Sequence, residues 1–477
     1  MNPAILVTGQ AINVMSLKTL GITVLGDFIL SEGVETILAN LHRVGATAVA
    51  CNPTVTAPAN EHTGSFQPPD DAGSSPRLFD RTLFGKRSLW VRSGPSFRPR
   101  KEFYSGIKYQ PRTPNDLTDQ HGALIGQFIH AATESGLKVY LQVGATRPSG
   151  LQDEDRPRLP DGTLLPNRMA DTGSLASRAI RDYNAAYVRD LLAAYPSING
   201  FRIDWPESPC YTFEEIFQDF SPHVEEWATA QGFRFSSIRA DVGRFHEYLS
   251  GSLTNDDLSE LAEVNRGPFA ILQLLTRFPG CFDWLRLKAA LSADLVRHWR
   301  EILDDAGGSH VELTAHAFMP PWSLLTGLDF ARVATHVDCV SPKLYTMHWP
   351  LMVTFWGRHL LKNNRGLDEG LLTRALVSLM DLADSTDHIK SIDQYHYPQP
   401  DEPHPIADAP QLRKIGQVRS ALGRTATTRL IALVHGYGPT DDFVRRFKLI
   451  ADSDVDGIWI NRYGYLSDAK LDALAGL

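Results

Sequence analysis

Residues 200–207 read Gly200-Phe201-Arg202-Ile203-Asp204-Trp205-Pro206-Glu207, a stretch apolar enough for a buried strand yet carrying a cation and two carboxylates toward its C-terminal end. Side chains alternate along a strand, so Phe201, Ile203 and Trp205 take one face while Arg202 and Asp204 take the other. Ionisable groups directed inward must be paired or put to use, because an unpaired buried charge is costly. Two carboxylates at the mouth of such a strand are the minimum equipment for cleaving an acetal such as a glycosidic bond. Asp204 suits the role of nucleophile, kept ionised by Arg202 on the same face. Glu207, just beyond Pro206, suits the proton donor if an aromatic wall desolvates it and raises its pKa. The plainer alternatives are a structural ion pair for Asp204 and a solvated loop carboxylate for Glu207.

Such a strand needs a scaffold, and the rest of the chain supplies a regular alternation of strand and helix patterns. Strands are expected at 22–28, 47–52, 137–144, 200–205, 311–318, 339–345, 430–435 and 457–463. Helical spacing fills the gaps: Val34, Ile37, Leu38 and Leu41 after a Ser31 cap, then Leu124, Phe128 and Ala132, then Ile180, Tyr187 and Leu191. A helix over 466–477 follows the last strand. Eight alternating units ending in a helix predict an α/β fold, a (β/α)₈ TIM barrel. An open doubly wound sheet fits less well, since the first turn reads Asp27-Phe28-Ile29-Leu30 rather than a Gly-rich phosphate loop. The whole of 1–477 is expected to form one catalytic domain, with insertions at about 53–120, 146–174, 206–280 and 384–410 at the C-terminal face of the barrel.

In a barrel the C-terminal strand ends line one pocket. Here they carry Asp27, Asn52, Gln142, Arg202 with Asp204, His316, Lys343 with Tyr345, His435, and Asn461 with Tyr463. His348 lies just beyond the sixth strand. Polar groups at nearly every strand end favour a ligand rich in hydroxyls. Trp205 and the loop aromatics Trp90, Phe97, Tyr104, Tyr109, Tyr211, Trp322, Trp349, Tyr395 and Tyr397 add apolar faces of the kind that stack on sugar rings. The expected substrate-binding set is therefore Asn52, Gln142, Arg202, Trp205, His316, Lys343, Tyr345, His348, His435, Asn461 and Tyr463. Glu312 is in phase with His316 but deeper, near the barrel floor. Lys343 is suited to a carboxylate-bearing sugar or to holding the charge of Asp204, with a Schiff-base role as a remoter option.

With these strands in place, the chain resembles the (β/α)₈ glycoside hydrolase superfamily, including its hypothetical glycosyl hydrolase families. Locally, Gly200-Phe201-Arg202-Ile203-Asp204 is similar to strand four of the α-amylase clan, which implies a nucleophile role for Asp204 and a supporting role for Arg202. Elsewhere the chain departs from that clan. Ser208 stands where its motif has His, His316 where it has a strand-five Glu, and Gly436 follows His435 in place of an Asp. Only the strand-four geometry carries over.

Composition bounds the remaining options. The chain has 477 residues, 43% hydrophobic and 21% charged, as an ordinary globular protein does. Its net charge of −8, without a basic run, argues against a nucleic-acid partner. Cys51, Cys210, Cys281 and Cys339 are scattered, without zinc spacing, and no metal or cofactor is expected. No apolar run suggests a membrane span and the first residues do not read as a signal peptide, so a cytoplasmic chain is expected. Homo-oligomerisation stays open. The competing readings are a metal-dependent sugar isomerase or epimerase, drawing on Glu312, His316, Asp204 and Glu207, and a non-catalytic carbohydrate-binding barrel.

Overall fold

The computed structural model describes residues 17–69, 78–166, 168–263, 267–308, 310–423 and 426–477. The N-terminal residues, in which no signal peptide is expected, lie outside the described ones. In chain order the strands are β1 (Leu20–Thr23), β2 (Ala48–Cys51), β3 (Thr54–Pro58), β4 (Ser65–Gln67), β5 (Leu89–Pro95), β6 (Lys138–Gly144), β7 (Gly200–Asp204), β8 (Glu312–Ala317), β9 (Cys339–Leu344), β10 (Arg429–His435) and β11 (Gly457–Asn461). Eight of them close into a parallel barrel in the order β1-β11-β10-β9-β8-β7-β6-β2. The expected (β/α)₈ fold is the fold observed.

Alternation along β7 sorts its side chains as the sequence suggests. Phe201 and Ile203 are fully buried in the large core of the molecule, while Arg202 lies inside the barrel with its guanidinium 3.8 Å from the centre of the Trp459 ring. The barrel interior is a smaller apolar cluster that includes Ala48, Ala50, Tyr140, Ile431, Leu433 and Trp459. Two glycines make room for its rings. A Cβ on Gly21 would stand 2.3 Å from Trp459, and one on Gly200 would stand 2.8 Å from Tyr140. Glu312 closes the floor, accepting from Tyr140 Oη at 2.7 Å and Lys138 Nζ at 2.9 Å and pairing with Arg429.

The first unit differs from expectation. β1 stops at Thr23 and the chain turns at once into a helix over Gly26–Glu32, so Asp27 sits in a first helical turn rather than at a strand end. The cause is local. Gly26 N–H donates to Asn52 Oδ1 at 3.0 Å, and a Cβ at residue 26 would meet the Thr54 carbonyl at 2.1 Å. Gly33, at φ +86°, then separates this helix from Val34–Arg43, where a single helix is expected. The last strand likewise ends at Asn461, and Tyr463 begins a short 3₁₀ turn.

The insertions are ordered in different ways. Within 53–120, β3, β5 and β4 form an antiparallel sheet of their own. Within 206–280, helices Pro222–Ala230, Phe235–Leu249, Asn255–Ala262 and Gly267–Arg277 precede the long helix Gly280–Asp305. Among the described residues no helix is long and apolar enough to cross a membrane. All four cysteines are buried and free.

The floor network makes a stability prediction. Glu312→Ala leaves Arg429 and Tyr140 without their shared acceptor, and should cost about 1–3 kcal/mol in a denaturant or thermal melt. An unchanged melt would mean that the apolar layer alone closes the barrel.

Candidate active site

Asp204 ends β7 with a quarter of its side chain exposed (26%). Three groups converge on one of its oxygens, Oδ1: Lys343 Nζ at 2.8 Å, His316 Nδ1 at 3.3 Å and the Trp205 backbone N–H at 3.1 Å. Among the described residues none donates to Oδ2. Burial works against the charged form, but Lys343 and His316 outweigh it and hold the carboxyl well below the usual carboxylate range. Arg202, expected to be the supporting cation, is not in contact with Asp204. Its Nη1 donates to Thr23 Oγ1 at 3.0 Å and Gln142 Oε1 at 3.3 Å, and burial lowers its pKa to about 10. Burial, with Arg202 nearby, pushes His316 down to about 4, so the imidazole is neutral at pH 7.

Trp205 leaves the strand alternation. With φ at +62° it occupies the left-handed region, which a bulky residue rarely adopts. The turn takes its ring off the outer face and over Lys343, whose Nζ lies 4.0 Å from the ring centre. Phe318 and Tyr211 pack against Trp205 and complete an aromatic wall. The next residues carry Glu207 behind that wall. It is fully buried, with Oε1 accepting from the Phe318 backbone N–H at 2.7 Å and Oε2 from the Thr326 hydroxyl. Burial raises its carboxyl to about 7. The expected proton donor is thus fully buried, with both oxygens engaged by the segment that follows β8.

The other expected residues divide. Tyr345 packs edge-on between His348 and His435, with ring centres at 5.4 and 5.0 Å. His348 Nδ1 is 3.0 Å from the Tyr211 hydroxyl, and His435 Nδ1 accepts from the Tyr437 N–H at 3.1 Å. Asn461 is buried at the end of β11. Asn52 reaches the mouth, but its amide is already bonded to Gly26 and Thr54. Tyr463 does not reach it: its hydroxyl donates to Glu32 at 2.8 Å and accepts from Asn40 at 2.7 Å, on the outer side of the barrel. The metal-ligand set considered for an isomerase is not assembled, since Glu312 and His316 stand roughly 13 Å apart along one strand.

A cavity of about 510 Å³ opens beside this cluster, on the β1, β2 and β6 side. Gln142 and Gly144 line its base, and Gly144 is the register partner of Asp204. The β3–β5 sheet contributes Thr54, Thr56, Gln67 and Ser93 to its walls, and Phe97, Tyr183 and Tyr187 give it aromatic surface. Asp27 also lines it. Burial pushes this carboxyl up to about 6, with Arg462 opposing the rise. The strand-end signal singles out Asp27 in the sequence, whereas Arg147 and Arg462, also lining residues, carry no such mark. Arg462 directly follows a strand-end residue, which is the one local hint.

No protein-family model matches the chain, and no curated protein matches its sequence. Among solved structures it is similar to the polyextremophilic β-galactosidase of the Antarctic haloarchaeon Halorubrum lacusprofundi, with TM-score 0.52 and 12% identity over 96% of this chain and 57% of that one. The two share the barrel fold. Lower scores relate it to the β-galactosidase of the psychrophilic Marinomonas ef1 (TM-score 0.49, 11% identity, covering 93% and 54%) and to the β-amylase catalytic domain of Paenibacillus polymyxa (0.43, 10%, covering 95% and 94%). The chain spans little more than half the length of the two β-galactosidases. At these identities the likeness is one of fold.

The raised Asp27 carboxyl sets a sign for pH dependence. A folded pKa of about 6 lies above the unfolded value of about 3.9. The folded state therefore binds the extra proton between these values, and stability falls as pH rises through that window. Asp27→Asn should raise the stability at pH 7–8, by at most about 2–3 kcal/mol, and with it the melting temperature, and leave both unchanged near pH 4. Equal melting of both forms at pH 8 would contradict the buried, ionisable placement.

Proposed function

We propose that this chain is a glycoside hydrolase in which Asp204 is the ionised carboxylate at the reacting centre. One observation carries the reading: three groups converge on Oδ1 while, among the described residues, none donates to Oδ2, on a side chain partly open at the mouth of a (β/α)₈ barrel. Such an arrangement orients a carboxylate, keeps it charged and leaves one oxygen to meet a developing positive charge. The adjacent polar cavity with Phe97, Tyr183 and Tyr187 suits a sugar ring.

The proton donor we favour is Asp27 rather than Glu207. Asp27 lines the cavity and is raised to about 6, so it carries a proton in mildly acidic solution. Glu207 has both oxygens engaged behind the Trp205–Phe318 wall, which suits a positioning role. In the proposed reaction Asp27 protonates the glycosidic oxygen as its bond to the anomeric carbon breaks, and the aglycone leaves as an alcohol. Asp204 stabilises or bonds the electron-poor carbon. Water then adds there, and its proton returns to Asp27. Two carboxyls with pKa values pushed apart by their surroundings are what acid and base roles require.

Asp204 also fits a purely structural ion pair with Lys343, and one pair of measurements separates the two. Asp204→Asn should lower turnover of glycosides by several orders of magnitude in protein that remains folded. A variant that is destabilised yet keeps normal turnover would make the pair structural. Asp27→Asn should mostly affect substrates with poor leaving groups, while activated aryl glycosides need little protonation. Glu207→Gln should affect both substrate classes alike.

A further inference from the structure

The cavity is polar in an unequal way. Arg112, Arg147 and Arg462 all line it, and Asp27 is the only carboxylate among its described lining residues. Arginine donates and never accepts, so these three positions offer nothing to which a sugar hydroxyl could donate. Its planar fork matches a carboxylate or sulfate.

The three arginines are not equally committed. Arg112 Nη2 is held by the Ser93 carbonyl at 2.9 Å and the Ser93 hydroxyl at 3.1 Å, at the rim. Arg147 is exposed, and among the described residues it forms no hydrogen bond or ion pair. It lies across the end of β6, where a Cβ on Gly144 would come within 2.9 Å of the Arg147 Cβ. The glycine at 144 is what lets this arginine cross the strand end. Arg462 has a buried Nε with no hydrogen-bond partner among the described residues, although its charge faces Asp27. Beneath them Gln142, which lines the base, is bonded to the fully buried Arg202, whose Nε and Nη2 also have no hydrogen-bond partner among the described residues.

We infer that the substrate is an anionic sugar, whose carboxylate or sulfate is received by Arg147 and Arg462. This rests on the reading of the cavity as the sugar site and adds the class of sugar. The two cations would set which way round the ring enters, with the anionic group on the Arg147–Arg462 side.

The test is calorimetric titration of the full chain with three probes: a uronate-terminated disaccharide, a sulfated disaccharide and their neutral parent. Each is titrated at low and at high salt. The acidic probes should bind at least about tenfold tighter than the neutral parent, as charge-assisted hydrogen bonds imply. High salt should narrow that gap. Arg147→Ala should remove about tenfold of the affinity for the acidic probe without lowering the melting temperature, because this side chain supports nothing else among the described residues. Arg462→Ala should act in the same direction, and Arg147→Lys should restore only part of the loss. The uronate and sulfate arms identify which anion is read. A neutral parent bound as tightly as the acidic probes, by wild type and Arg147→Ala alike, would overturn the inference and leave the glycosidase reading standing. Failure of all three to bind, with no glycoside turned over, would overturn both.

Discussion

Everything at the mouth of this barrel depends on a cation held inside it. Arg202 is fully buried over the Trp459 ring, and among the described residues it is hydrogen-bonded only through Nη1, to Thr23 and Gln142. A guanidinium in that position has exchanged water for an aromatic face and two neutral acceptors, an environment tolerated by a weakly hydrated cation and poorly by an ammonium. Its charge reaches upward. Burial first, and this charge with it, keeps His316 neutral, so the imidazole meets Asp204 as a hydrogen-bond partner rather than as a second cation. Lys343 then supplies the direct charge on Asp204. The carboxylate is stabilised from below by a field and from the side by a contact.

That electrostatic stack explains the aromatic wall. Lys343 is almost fully buried, and Trp205 and Phe318 lie over it at 4.0 and 5.1 Å from their ring centres. An aromatic face lowers the cost of burying an ammonium and excludes the water that would screen its pull on Asp204. The unusual backbone at Trp205 is the local price of placing that ring. Glu207 follows from the same turn, since a chain that swings Trp205 over the mouth must carry the following residues behind it.

The sequence made the barrel legible because its signals are repetitive. Eight units of strand and helix each carry their own periodicity, and an error in one does not disturb the others. The inward placement of Arg202 and Asp204 was equally accessible, since alternation in β7 holds as far as Asp204. It fails at Trp205, where one positive φ sends the ring to the opposite face and makes Glu207 inaccessible. Periodicity cannot foresee such a turn, and neither residue type at 205 nor Pro206 announces it. Two cations compete in the sequence as partners of Asp204, Arg202 and Lys343. Arg202 is close in sequence, but Lys343 and His316 arrive from β9 and β8, and such pairings are set by barrel register. Tyr463 falls at the mouth only if the last strand runs to residue 463, and it ends two residues earlier.

The arrangement separates the proposed chemistry from the proposed recognition. Asp204, His316 and Lys343 stand on β7, β8 and β9, at consecutive positions in the barrel. The cavity walls come instead from the β3–β5 sheet, the segment after β6 and the residue that follows β11. Asp27 links the two groups: it lies in the cavity wall, yet its backbone position is fixed by Gly26 bonding to Asn52 at the end of β2. Strand-borne groups can hold a carboxylate to within fractions of an ångström, whereas inserted loops can change length and charge without moving it. The arginines that set the character of the cavity are on the second kind of element. On the proposed reading, a change of preferred sugar would come from these loop residues, while the Asp204 cluster stays as it is.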